Sequence, residues 1–300
     1  MRAVEVSAFG GPEVLRVAER PDPVAGPGEV VVRIRATAVN PSDIGARAGH
    51  AKRRMPDLEP PFVPGWDLAG ELAESGERVV GMIPFGHIGG RVGAYAEAAA
   101  VDPDWLAPLD ESVSFEVGAT LPLNALTAHE ALARLSLPRR ARLLVTGASG
   151  AVGGYATQLG AAAGLDVVAV ASQDDEAWVA GLGAVDVLAR DADLSAIDAV
   201  DGVFDAVPLG PSASTGALRE GGKAVFTRAP DPAEPDRDIE LESFLVSPNP
   251  PALRKLARRL AAGELTPARI ARVLALDQAA EAHRLVEAGG LRGKVVLTTA

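Results

Sequence analysis

Residues 143–164 read LLVTGASGAVGGYATQLGAAAG. Leu143-Leu144-Val145-Thr146 has the length and composition of a strand buried on both faces. A glycine-rich turn follows. Tyr155, Leu159 and Ala163 then recur at the spacing of one helix face, which predicts a helix from about Gly153. Gly147, Gly150, Gly153 and Gly154 lie in or beside the turn, and the dinucleotide pattern G-x-G-x-x-G falls on Ala148-Ser149-Gly150-Ala151-Val152-Gly153, with Ala in the first place. In that pattern Gly150 lets the backbone approach a diphosphate and Gly153 lets the helix pack close on the strand. The helix N-terminus adds free N–H groups and the positive end of a dipole. An ordinary strand–turn–helix also uses small residues here, so the flanking chain has to decide.

Working outward, apolar strand patterns at 143–146, 167–171, 185–188, 203–207, 224–227 and 244–247 alternate with helical ones. That rhythm predicts a parallel, doubly wound Rossmann sheet. It begins with a helical stretch at 115–135 interrupted near Pro122, and 251–262 closes it with a helix whose Arg254, Lys255, Arg258 and Arg259 form a solvated face. Upstream the rhythm is different. Strand patterns at 2–8, 29–37, 76–83 and 93–101 are separated by dense Gly and Pro, as in an all-β barrel with long loops. The expected class is α/β, with a β-barrel unit over 1–112, a dinucleotide unit over 113–262, and a tail, 263–300, that returns to the first unit.

Composition narrows the function. The chain has 300 residues, 48% hydrophobic, and a formal net charge of −11, which argues against nucleic acid or an anionic membrane as partner. It has no cysteine, which rules out disulfides, thiolate catalysis and Cys-ligated zinc. No signal-peptide pattern and no apolar run of membrane-span length stand out, so a cytoplasmic protein is expected.

Several stretches, in order, resemble the zinc-independent quinone oxidoreductases of the medium-chain dehydrogenase/reductase superfamily. They are Asn40-Pro41-Ser42-Asp43 with Arg47-Ala48-Gly49, Pro64-Gly65-Trp66-Asp67, Gly76-Glu77-Arg78-Val79-Val80-Gly81, Gly93-Ala94-Tyr95-Ala96-Glu97, Leu126-Thr127-Ala128, the glycine turn, and Arg292-Gly293-Lys294-Val295-Val296-Leu297. The resemblance implies a GroES-like β-barrel domain beside the Rossmann domain, a coenzyme in the cleft between them, a homodimer, and a small-molecule substrate. It implies hydride transfer from a reduced nicotinamide to a quinone, enone or enoyl carbon. Zinc-using relatives carry Cys, and a His just after the Pro-Gly turn. Trp66 stands there, so no metal is expected.

The resemblance places Asn40 and Thr127 near the nicotinamide ribose and carboxamide, with Asn124 as a neighbour; capping is the plainer role for such residues. Gly147, Ala148, Ser149, Gly150, Ala151, Val152 and Gly153 would line the diphosphate, Val207 at the end of the fourth strand would also meet the coenzyme, and Val246 and Ser247 at the end of the sixth would border the nicotinamide. Two departures matter. Many relatives carry a proton-donating Tyr where Ala51 stands; His50 is the substitute, an exposed loop histidine or solvent the alternatives. NADPH-using relatives hold the 2′-phosphate with Ser and a following Lys. Ser172 fits, but Asp175 stands at the Lys place, which suits NADH. NADPH is favoured slightly by the resemblance, NADH remains open, and Arg228 could compensate.

Other readings are weaker. A short-chain reductase needs Y-x-x-x-K, and neither Tyr95 nor Tyr155 has it. A hydrolase would use Ser149 with Asp205 and His283, but Ala151 replaces the second elbow glycine. A coenzyme-binding regulator without turnover is the remaining alternative.

Overall fold

The computed structural model describes residues 1–53, 55–84, 93–207, 209, 211–227 and 238–299. It divides into two compact units, Met1–Leu123 with Ser247–Ala300, and Asn124–Val246. Two segments expected in the dinucleotide unit, 113–123 and 247–262, therefore cluster with the first.

The first unit is mostly antiparallel. It contains β1 (Arg2–Val6), β2 (Leu15–Glu19), β3 (Val30–Val39), α1 (Pro41–Arg47), β4 (Asp67–Leu72), β5 (Arg78–Met82), β6 (Ala98–Val101), β7 (Leu106–Pro108) and α2 (Phe115–Ala119). Ser114 caps α2 by accepting the Val117 N–H, and α2 packs on β3 and β4, which is why it belongs here. Pro122 then opens α3 (Pro122–Leu135). Proline is tolerated in a first helical turn but not inside a helix, so the break expected near it is real.

The second unit has the alternation predicted. It runs β8 (Arg142–Thr146), α4 (Ala151–Ala162), β9 (Asp166–Ala171), α5 (Glu176–Gly181), β10 (Asp186–Ala189), β11 (Val200–Asp205), α6 (Pro211–Ser214), β12 (Leu218–Phe226) and β13 (Glu240–Ser243). All neighbours pair in parallel in the order β10-β9-β8-β11-β12-β13. Leu144, Val168, Val170, Val203, Ala224 and Phe226 join one buried core cluster.

The sixth strand corrects the sequence reading. It occupies 240–243, not the apolar stretch 244–247. It lies at the sheet edge, where half its surface meets solvent and polar residues suffice. Lys223 pairs with both Glu240 and Glu242, Arg134 pairs with Glu242, and the Arg134 guanidinium stacks on Phe244. Val246 and Ser247 thus follow the strand rather than end it.

The chain returns to the first unit through α7 (Pro250–Ala261), β14 (Ile270–Ala275), α8 (Ala279–Ala288) and β15 (Lys294–Thr298). Helix α7 starts where the Asn249 side chain accepts the Ala252 N–H at 3.1 Å, and its apolar stripe of Leu253, Leu256 and Leu260 is buried with the helix packed on β7. Strand β15 pairs antiparallel with β3 and parallel with β14. The resulting sheet order is β14-β15-β3-β4-β5-β7, with β6 paired to β3. No described helix is long and apolar enough to cross a membrane.

Candidate coenzyme site and a buried polar network

The glycine turn joins β8 to α4 in the second unit. Gly147 takes φ +63°, a left-handed conformation that glycine adopts freely, and a Cβ there would lie 2.4 Å from Val207 Cγ1. Val207 therefore packs over the turn. Gly150 caps α4 with no side-chain hydrogen bond, so the first N–H groups of a twelve-residue helix are not satisfied by a capping side chain. The helix starts at Ala151, two residues before the position read from sequence. At Gly153 a Cβ would stand 2.3 Å from the Gly147 carbonyl oxygen and 2.9 Å from Ala148 Cα. Only glycine permits that approach. Ala148 is buried and its N–H donates to the Val170 carbonyl at 3.1 Å, which docks the end of β9 on the turn. Ser149, Ala151 and Val152 are half-buried around the same cradle. The uncapped helix start and the close backbone approach fit a diphosphate.

Other expected contacts sort differently. Asn124 and Thr127 are one turn apart on α3 and both buried. Ser172, just past β9, donates its hydroxyl to Asp175 Oδ2 at 2.8 Å. Val246 is buried and Ser247 exposed. Arg228, named as a compensating cation, lies outside the described residues. His50 is exposed on a short 3-10 turn after α1, and among the described residues no other histidine is exposed.

Asn40 is fully enclosed in the first unit. Its Nδ2 donates to Asp67 Oδ2 at 2.7 Å and to the Ala38 carbonyl at 3.2 Å, while Oδ1 accepts from Lys294 Nζ at 2.5 Å. Its backbone N–H donates to Asp43 Oδ2 at 2.7 Å, capping α1. Each polar atom of the side chain is used inside the fold, so Asn40 cross-links here rather than presenting itself to a ribose.

That cross-link is part of a network the sequence reading missed. Asp67 Oδ1 accepts the Leu123 N–H at 2.7 Å. Burial pushes the Asp67 carboxyl up to about 6, against the pull of Lys294, the Leu123 N–H and the Asn40 amide. Burial also raises Asp43, with Asp67 adding to it, and lowers Lys294, which the two acids oppose. The Tyr95 hydroxyl, itself pushed well above the usual phenol range by burial, lies beside Asp43 and 3.1 Å from His283 Nε2. Arg47 Nη1 stands 3.3 Å from His283 Nδ1, and Arg47 Nη2 reaches Glu287 Oε1 at 2.5 Å. A guanidinium can only donate, so His283 accepts at Nδ1, carries its proton on Nε2 and donates it to Tyr95. Burial, with Arg47 beside it, pushes His283 down to about 3. In the sequence Tyr95 stands out only as lacking the Y-x-x-x-K spacing, and His283 only as a partner in the hydrolase alternative. The sequence signal was the Arg-Gly-Lys stretch, which puts one of only four lysines at the start of a buried strand.

The hydrolase alternative loses its partners. Asp205 accepts the Thr146 hydroxyl at 2.5 Å, and both ring nitrogens of His283 are occupied as described.

Known proteins agree with this architecture. Residues 26–111 match the model for the alcohol dehydrogenase GroES-like domain, and residues 182–297 match a model described as zinc-binding dehydrogenase. The Quinone oxidoreductase of Lama guanicoe is 31% identical over 330 residues, spanning 99% of this chain and 97% of that one. The chain belongs to the quinone oxidoreductase-like branch of the medium-chain dehydrogenase/reductase superfamily. The Quinone oxidoreductase of Mus musculus is 36% identical over 184 residues; that match spans 58% of this chain and little more than half, 54%, of the mouse protein. A solved NAD-dependent alcohol dehydrogenase superposes with a TM-score of 0.88 at 30% identity, covering 100% of both chains. Asn40 and Trp66 offer an amide and an indole, Trp66 Nε1 is given to Ser42 Oγ at 2.5 Å, and no group of three or more metal-ligating side chains occurs among the described residues.

Proposed function

We propose that this member of the superfamily is a zinc-independent reductase that uses a reduced nicotinamide dinucleotide to reduce a quinone or an α,β-unsaturated carbonyl compound. The glycine turn carries the reading: Gly153 against the Gly147 carbonyl, with an uncapped helix start at Gly150, is a backbone surface suited to a dianionic linker. When bound, the nicotinamide supplies the hydride. The chain supplies the grip on the diphosphate and a proton source. His50 is assigned as that source, because its imidazole is exposed on the short turn after α1 and carries a nitrogen-bound proton it can give up. Similarity to quinone oxidoreductases supports the acceptor class, since quinones and enones share an electron-poor carbon. The donor set around Asn40, Trp66 and Asp67 supports chemistry without zinc. A homodimer and a cytoplasmic location rest on the family resemblance.

The test is to mix the purified protein with NADH or NADPH and a panel of quinones, enones and enoyl thioesters, following loss of reduced-nicotinamide absorbance. Turnover with any acceptor upholds the reading. Coenzyme binding without turnover across the panel would point to a regulator instead.

A further inference from the structure

Strand β3 changes partners along one edge. Residues 30–33 pair with β6 and residues 36–39 with β15, while β4 runs along the other edge and shifts register between Ile34 and Ala36. A groove of about 400 Å³ lies where β6 gives way to β15, and Arg33 and Arg35 stand on its wall. Two residues apart on a strand, they share one exposed face while Ile34 between them is buried. Arg35 sits at the register shift and faces no residue of β4. Glu71 is directly across from Arg33, yet no ion pair joins them. Among the described residues neither guanidinium has a hydrogen bond or an ion pair. The chain carries 40 acids against 29 Lys and Arg, so a shortage of carboxylates does not explain this. The acids on the groove are already matched: Asp22 lies 3.0 Å from the Met1 ammonium, and Glu97 lies 2.7 Å from Arg2. Two like charges are left side by side, an arrangement that costs stability unless an anion joins them.

We propose that this groove is a second ligand site, separate from the glycine turn, and that it takes a small phosphate monoester with an apolar body. Guanidinium forks present N–H donors in a geometry that matches phosphate oxygens. A carboxylate brings one negative charge, whereas a phosphate monoester brings about two, which is what Arg33 and Arg35 together call for. Pro23 and Val31 offer the apolar body a surface on the same groove. The volume is that of a pocket for a single small molecule. All of these residues belong to the first unit and the glycine turn to the second, so the site does not depend on the coenzyme reading.

The experiment is calorimetric titration of the full-length protein with phenyl phosphate, with and without saturating NADH, repeated with the double variant Arg33→Gln/Arg35→Gln. Both arginines are exposed, so the variant should fold, and thermal unfolding checks that it does. Phenyl phosphate is expected to bind at a single site per chain whether or not NADH is present. The double variant should weaken it at least about tenfold. Benzoate and inorganic phosphate, which lack the second charge and the apolar body respectively, should both bind less tightly than phenyl phosphate. No heat with phenyl phosphate overturns the proposal. So does binding that NADH abolishes, because the phosphate then sits at the glycine turn. An unchanged affinity in the folded double variant overturns the assignment to these arginines, and inorganic phosphate binding as tightly as phenyl phosphate overturns the ligand class. A failure of NADH to bind would count against the coenzyme reading alone, since the titration without NADH and the double variant still decide this site.

Discussion

A Cβ on Gly153 would stand 2.3 Å from the carbonyl oxygen of Gly147, a distance no side chain tolerates. The partner is backbone, so it cannot swing away, and relief must come from moving α4 off the turn. Gly153→Ala should cost about 1–3 kcal/mol of stability, within the range for overpacking a tight site, and weaken coenzyme binding as well. Thermal unfolding together with coenzyme titration checks both effects.

Gly150 gives the opposite pattern. It is exposed, has an ordinary φ of −82°, and a Cβ there meets only the Gly147 oxygen at 3.3 Å. Gly150→Trp should leave the melting temperature close to that of the unaltered protein but cover the helix start and reduce coenzyme affinity by at least about tenfold. Normal coenzyme binding by a folded Gly150→Trp protein would show that the diphosphate lies elsewhere.

Lys294 is the buried cation facing Asp43 and Asp67. Lys294→Met strips both acids of it and also removes the hydrogen bond to Asn40. A loss of about 1–3 kcal/mol is expected, the cost of leaving the buried Asn40 and Val39 oxygens without their donor. Adding Asp67→Asn should recover part of that loss, because one of the uncompensated charges goes with it. Denaturant unfolding of the single and double variants measures the coupling.

Two buried groups pull stability in opposite directions with pH. His283 has its folded value depressed to about 3, below the unfolded 6.5, so the native state binds fewer protons and stability falls as pH drops from about 6.5 toward 3. Asp67 has its value raised to about 6 from 3.8, so its contribution is present below about 3.8 and is lost as pH rises through 6. His283→Phe should flatten the acid limb, and Asp67→Asn should remove a loss of stability between about pH 4 and 6. Each group contributes at most about 1.4 kcal/mol per pH unit. Unfolding midpoints over pH 4–8 separate the two.

If His50 delivers the proton, His50→Gln should lower kcat and alter the pH–rate profile while leaving coenzyme affinity unchanged. An unaltered pH–rate profile assigns the proton to solvent. Prolonged treatment with a chelator should leave turnover untouched, since no group of three or more metal-ligating side chains occurs among the described residues.

The strand–glycine turn–helix and the strand–helix alternation were legible because they are local: buried parallel strands read as apolar runs, and a turn that approaches a phosphate needs glycine whatever surrounds it. The same rule misplaced the sixth strand. An edge strand held by Lys223 and Arg134 can be polar, whereas the neighbouring apolar stretch at 244–247 attracted the strand reading.

What the sequence determined by itself was the class of fold, the position of the glycine turn and the lack of cysteine ligands. Tertiary structure alone decided that Asn40 is locked between Asp67 and Lys294, that His283 lies between Arg47 and Tyr95, and that Ser172 turns to Asp175. The first two join residues far apart in the chain, whose electrostatics exist only once burial has removed water. The third pair is close in sequence, but its orientation depends on β9 being docked against the turn.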